Sequence, residues 1–204
     1  MGLSDSVKPL VCLASVSPRR RELLAQIGVP HTVIGAHIDE TVHPGEAPRE
    51  YVTRMARQKA LTIRESGEAL PVLAADTTVV LDNVIYGKPR DRADGISMLG
   101  RLSGRTHEVL TAVAIADARG VALRLCASAV RFRELTLEEC AAYWQTGEPC
   151  DKAGGYAVQG AAAVFIESLS GSYSGVMGLP LFETAELLRE AGIGFWHGCW
   201  GRRS

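Results

Sequence analysis

Leu13-Ala14-Ser15-Val16-Ser17-Pro18-Arg19-Arg20-Arg21-Glu22-Leu23-Leu24 reads as the end of a buried strand, a tight polar turn and the first turns of a helix. Ser17 suits the N-cap, and Pro18 falls at the first helical position, where its missing N–H is no loss. Arg19, Arg20 and Arg21 then put a run of cations at the positive end of the helix dipole. At an exposed helix end each such charge is unfavourable by a few tenths to ~1 kcal/mol. An anion held there reverses the sign, because free N–H groups, hydroxyls and guanidiniums all point toward it. The alternative is a solvated basic turn.

Working outward from this strand–turn–helix unit, short apolar strands alternate with amphipathic helices along most of the chain. That alternation predicts an α/β fold. Strands are expected over residues 10–14, 31–36, 72–81 and 84–86, the last two joined by an Asp82-Asn83 turn. Helices are expected over 18–27, 49–64, 91–102 and 180–190, with Gly28 and Gly192 closing the first and last. Thr136-Leu137-Glu138-Glu139 is a capping box that opens a short helix stopping at Gly147. Two long strands, about 108–116 and 121–132, follow one another, which predicts a hairpin and so a mixed sheet. Residues 162–168 read as a further strand. No repeat, low-complexity stretch or linker divides the chain, so one domain is expected over 1–204, with flexible ends at about 1–9 and 194–204.

The 204 residues are 47% apolar and 22% charged, ordinary values for a globular protein. A net charge of −1 gives no global field to attract nucleic acid or an anionic membrane, so any anion site must be local. With 6% aromatic residues, an oligonucleotide-binding surface is also disfavoured. The 5 cysteines are scattered, odd in number and without a C-x-x-C pair. This argues against a disulfide framework or zinc site and predicts a reducing, cytoplasmic compartment. No apolar run approaches the ~18 residues of a membrane span. Met1 to Pro9 lacks the apolar core of a signal peptide. Met1-Gly2-Leu3-Ser4-Asp5-Ser6 fits the loose myristoylation pattern, a match common by chance.

Two charges fall where the pattern asks for apolar residues. On the helix over 49–64, at about 100° per residue, Lys59 lies inside the stripe of Val52, Met55, Ala56 and Ile63. It must snorkel out or meet an anion. Asp76 interrupts the strand Val72-Leu73-Ala74-Ala75 … Val79-Val80-Leu81, which reads as buried on both faces. Such a carboxylate needs a partner, as a loop cap, a metal ligand or a general base. Thr77 and Thr78 add adjacent hydroxyls. Gly87-Lys88-Pro89-Arg90-Asp91 is a stiff turn projecting Lys88, with Asp91 able to serve simply as an N-cap. The loop His37-Ile38-Asp39-Glu40 with His43 admits a metal site or plain solvated side chains. In Gly154-Gly155-Tyr156-Ala157-Val158-Gln159-Gly160 the lone amide of Gln159 can offer a donor and an acceptor to the edge of a base. Residues 171–180 form another small-residue loop entering a proline-started helix, a candidate second anion cradle.

Taken together these segments resemble the Maf family of nucleoside triphosphate pyrophosphatases. The resemblance rests on Leu-Ala-Ser-x-Ser-Pro-Arg-Arg-x-Glu-Leu-Leu at 13–24, Ile-Asp-Glu at 38–40, Ala-Arg-x-Lys-Ala at 56–60, Ala-Ala-Asp-Thr at 74–77 and Gly-Lys-Pro-Arg-Asp at 87–91. Leu-Ser-Gly-Arg-Thr-His at 102–107, Asp-Lys-Ala-Gly-Gly-Tyr-Ala-x-Gln-Gly at 151–160 and Gly-Ser-Tyr-Ser-x-Val-Met-Gly-Leu-Pro-Leu at 171–181 complete it. It spans about residues 10 to 192. The family implies a mixed sheet flanked by helices, two lobes around a cleft as in inosine triphosphate pyrophosphatases, and often a homodimer. It implies hydrolysis of a nucleoside triphosphate to the monophosphate and pyrophosphate, dependent on a divalent cation such as Mg²⁺, Mn²⁺ or Co²⁺. Arg19, Thr77 and Gln159 match the specificity positions of the dTTP/UTP branch and differ from a sister branch acting on 7-methyl-GTP. On this reading Ser15, Ser17, Arg20, Lys59 and Lys88 hold the triphosphate, and Glu40, Asp76 or both hold the metal. Asp76 takes a proton from the attacking water, while Gln159, Thr77 and Arg19 read and orient the base. The rival reading is a cell-division regulator that acts by binding partners.

Overall fold

In the computed structural model residues 8–196 are described, so the myristoylation pattern and most of the two ends expected to be flexible lie outside the described residues. Strands β1 (Val11–Leu13), β2 (His31–Val33), β3 (Val72–Leu81), β4 (Val84–Tyr86), β5 (Thr106–Asp117), β6 (Gly120–Phe132) and β7 (Ile166–Ser170) make one sheet. Its order is β2-β1-β3-β5-β6-β7, with β4 also paired to β3. β2, β1 and β3 run parallel, and the other pairings are antiparallel, so the architecture is the expected mixed α/β sheet. Parallel neighbours need crossovers, which α1 (Pro18–Gln26) and α2 (Pro48–Glu65) supply. The β3–β4 turn holds Asp82 and Asn83 at φ 51° and 62°, the paired left-handed conformation of a tight hairpin.

Side chains alternate across β3, and the alternation fixes what each face meets. Leu73 and Ala75 pack with Leu23 and Leu24 of α1 and with Leu187 and Leu188 of a C-terminal helix. Val72 and Ala74 face Val52, Ala56, Ala60 and Ile63 of α2. The alanines on this second interface let α2 lie close to the sheet. Beyond Asp76, Val79 and Leu81 join a third core with Phe132 of β6, Leu99 of α3 (Arg92–Leu102) and Tyr143 of α4 (Leu137–Gln145). The first two cores form one lobe and the third forms the other.

Several expectations are corrected. Ser17 sits at the N-cap of α1, but its side chain makes no capping hydrogen bond. β2 stops at Val33 rather than residue 36, since Ile34 N–H gives a last bond to Leu13 C=O and the chain then leaves the sheet. Residues 162–165, expected to open a strand over 162–168, belong instead to a 3-10 turn, Ala161–Phe165, and β7 begins only at Ile166. The Glu148 carboxylate accepts from Ala161 and Ala162 N–H and curls the backbone there. The loop over 171–180 contains a short helix, α5 (Tyr173–Met177), capped by Ser172, before α6 (Leu181–Glu190). The Ser172 and Ser174 hydroxyls accept from Gly175 and Leu181 N–H and so cap the loop's own backbone, while Met177 and Gly178 line the cleft described below. At the chain's far end Phe195 is buried in the α1/α6 core, and Trp196 N–H donates to Ile27 C=O.

Candidate active site

The site is a gap in the sheet. On one edge of β3, β1 covers Val72 and Leu73, and β4 covers Val79 to Leu81. Residues 74–78 between them have only β5 as a strand neighbour, along the opposite edge. The gap lies past the carboxyl end of β1, where ligands collect in open α/β sheets. A cleft of about 640 Å³ opens there, lined by Ser15, Ser17, Arg19, Arg20, Glu40, Lys59, Asp76, Thr77, Lys88 and Gln159. The residues that the family resemblance assigns to substrate and metal therefore line one cavity, whereas Asp39 and His43 of the candidate metal loop do not.

Register places the chemistry. Asp76 is on the α2 face of β3, and Thr77, one residue on, is turned toward α1. From α2, the buried Lys59 ammonium donates to Asp76 Oδ1 at 2.7 Å and meets Glu40 Oε1 at 2.6 Å. Asp76 is 7% exposed and Lys59 9%, so this pair is not a surface ion pair. Burial pushes the Asp76 carboxyl above the usual aspartate range, against the opposing pull of Lys59 and Arg20. Burial also pushes Glu40 up, but the hydrogen bond and charge of Lys59 outweigh it and leave Glu40 below the usual range. Two carboxylates thus sit on one ammonium with their proton affinities driven apart.

From α1, Arg20 spreads its guanidinium over the other face. Its Nε donates to Gly178 C=O at 2.7 Å, and its terminal nitrogens reach Ser15 Oγ and Thr77 Oγ1, each at 3.3 Å. Thr111 on β5 gives its only hydroxyl proton to Gly175 C=O, so in the 3.0 Å contact between the two threonines Thr77 is the donor. A line of hydrogen bonds therefore runs from Arg20 through Thr77 and Thr111 to α5. Desolvation lowers the Arg20 pKa, against the opposing pull of Asp76 and Glu40. The Ser17 N–H donates to Ser15 Oγ at 3.2 Å.

Lys88 projects from the turn after β4, whose Gly87 C=O accepts from Gly154 N–H at 3.0 Å. Gly154 adopts φ 70° against Val79, with no room for a side chain. Arg19 approaches Asp151 at 3.8 Å, so this arginine bridges from α1 to the other lobe. His37, Asp39 and His43 do not join Glu40 in a ligand set, and among the described residues no group of three or more His, Cys, Asp and Glu converges.

The sequence reading missed residues that hold these groups in place. Arg54 grips both oxygens of Glu46 at 2.6 Å and the Thr41 carbonyl at 2.9 Å, and Tyr51 donates to Glu40 C=O at 3.1 Å. Together they pin the loop that carries Glu40. Lys152 also lines the cleft, paired with Asp151. A helix-wheel count marks Arg54 only as off the apolar stripe, and Thr111 looks like any strand threonine, so neither carried a signal.

Cations on three separate elements and a buried carboxylate–ammonium cluster at the mouth of an α/β sheet define a protein that handles a polyanionic substrate. The chain belongs to the Maf-like protein family, whose model matches residues 10–191. It is 55% identical to a dTTP/UTP pyrophosphatase of Alkalilimnicola ehrlichii, over 95% of this chain and 98% of that one. It is 53% identical to proteins of the same name from Burkholderia thailandensis, over 92% and 95% of the two chains, and Methylococcus capsulatus, over 89% and 91%. Among solved structures a Staphylococcus aureus Ham1 protein overlaps 60% of this chain and 71% of its own, with a TM-score of 0.42 and 14% identity.

Proposed function

We propose that this protein hydrolyses dTTP and UTP to the monophosphate and pyrophosphate. The observation that carries the reading is the meeting of Lys59, Asp76, Glu40 and Arg20 in one cleft, from α2, β3, a loop and α1. Lys59, Lys88 and Arg20, with the Ser15 and Ser17 hydroxyls, hold the triphosphate and offset the charge that builds on leaving pyrophosphate. Asp76, made more basic by burial, accepts the proton of the water that attacks the α-phosphorus. Gln159 and Thr77 face the pyrimidine edge, and Arg19 orients it. The Thr77 proton is committed to Thr111, so this hydroxyl serves the base as an acceptor. The names of the relatives support the choice of nucleotide.

A divalent cation fits the residues present. Mg²⁺ commonly takes one or two carboxylates together with phosphate oxygens. Glu40 and Asp76 are the two carboxylates brought together at the cleft, on either side of Lys59, and their free oxygens would hold Mg²⁺, Mn²⁺ or Co²⁺. When bound, such an ion neutralises phosphoryl charge. The reading also includes a homodimer, which rests on the family resemblance, and a cytoplasmic location. Among the described residues the cysteines are free and no helix is long and apolar enough to cross a membrane.

Pyrophosphate release across the common triphosphates tests the proposal. Asp76→Asn should lower kcat by roughly 10²-fold with the fold intact. Near-normal turnover in that variant removes Asp76 from the role.

A further inference from the structure

The loop bearing Gln159 is held from both sides by two residues of the second lobe. Tyr143 on α4 accepts from Ala157 N–H at 3.2 Å, two positions before Gln159, and donates to Glu148 Oε1 at 2.6 Å. Glu148 in turn accepts from Ala161 N–H at 3.0 Å and Ala162 N–H at 3.3 Å, just after Gln159. Its carboxylate lies where a side chain at position 160 would begin: a Cβ on Gly160 would stand 2.1 Å from Glu148 Oε2. Gly160 N–H closes the turn on Ala157 C=O at 3.1 Å. The exposed Gln159 is thus the tip of a turn whose two ends are tied to one phenol–carboxylate pair. The Tyr143 ring is fixed by its edge contact with Phe165, at 5.2 Å between centroids, and is buried. Neither Tyr143 nor Glu148 lines the cleft, so neither touches substrate.

We infer that Tyr143 and Glu148 are positioning residues for base selection, setting where the Gln159 amide is presented. The inference rests on the proposal that Gln159 reads the base. An amide displaced by even an ångström loses the geometry of a paired donor and acceptor. The triphosphate contacts, made by other elements, stay in place. The clamp therefore acts on discrimination between nucleotides and leaves the hydrolytic step alone.

The test compares kcat/KM for UTP, dTTP, CTP and GTP in the unaltered protein and in Gln159→Ala, Tyr143→Phe and Glu148→Gln. Tyr143→Phe keeps the ring and deletes only the hydroxyl, so it keeps the packing that holds α4. Gln159→Ala should collapse the preference for UTP over GTP. Tyr143→Phe and Glu148→Gln should reproduce part of that collapse, about tenfold in the ratio, on the scale of one lost hydrogen bond, with GTP turnover maintained. If Gln159→Ala flattens the ranking and Tyr143→Phe preserves it, the clamp is refuted and the base-reading role stands. A uniform loss on all four nucleotides in Tyr143→Phe means a purely structural role and also refutes it. An unchanged ranking in Gln159→Ala overturns the base-reading role itself, and the clamp with it.

Discussion

Replacing Lys59 by methionine leaves a side chain of similar volume and removes the ammonium in contact with both Glu40 and Asp76. At 2.7 Å and an effective dielectric constant of ~20, the gross attraction between Lys59 and Asp76 is about 6 kcal/mol. Part of that is offset by the lysine's own desolvation, and Arg20 remains to interact with Asp76. Breaking a buried pair by removing one partner costs about 3–5 kcal/mol, and the lower end is expected here. Glu40 adds little, because its side chain is about half exposed. The loss should depend on pH. Without the ammonium, the Asp76 carboxyl rises further above its unfolded value of about 3.9, so the folded variant binds a proton that the unfolded chain has released. That contribution is complete below the unfolded pKa and disappears as pH rises through the folded one. Urea denaturation of Lys59→Met at pH 5 and pH 8 should show the larger destabilisation at pH 8. The double variant Lys59→Met/Asp76→Asn should recover much of the stability at pH 8, since the carboxylate that lost its ammonium is no longer charged. A single variant within 1 kcal/mol of the unaltered protein at pH 8, or a double variant no more stable than the single, refutes the reasoning.

Other outcomes follow from the same geometry. Arg20→Lys replaces a fork reaching Gly178, Ser15 and Thr77 with a point charge, and kcat/KM should fall at least about tenfold; an unchanged value means the fork is not needed. Burial drives His107 down to about 4, so the stability it contributes is present above ~6.5 and is lost as pH falls toward 4. Thermal unfolding across that window should show a slope of up to ~1.4 kcal/mol per pH unit, flattened in His107→Gln. An equal slope in both proteins assigns the acid sensitivity to other groups.

Period and punctuation alone marked most of the elements of this fold. The helix of Lys59, the long strand of Asp76 and the hairpin strands were legible because their apolar repeats are long and their turns carry Gly, Asn or a capping box. The short pieces were not. Ala161–Phe165 and α5 have too few residues for a period to show, and their conformations depend on the Glu148 carboxylate and the Ser172 cap.

Lys59 and Asp76 stand out in the sequence because a charge inside an apolar stripe violates a local rule that a one-dimensional pattern can display. That each is the other's answer is a property of space. α2 lies on the sheet through a seam of alanines, β3 turns Asp76 and not Thr77 to that side, and the break between β1 and β4 leaves the pair open to a ligand. Arg54, Thr111, Tyr143 and Glu148 are ordinary residues in the sequence. They acquire their roles only from partners 8, 34, 14 and 13 positions distant. Local chemistry is written in neighbouring residues, whereas the convergence of groups from distant elements depends on packing of the whole chain.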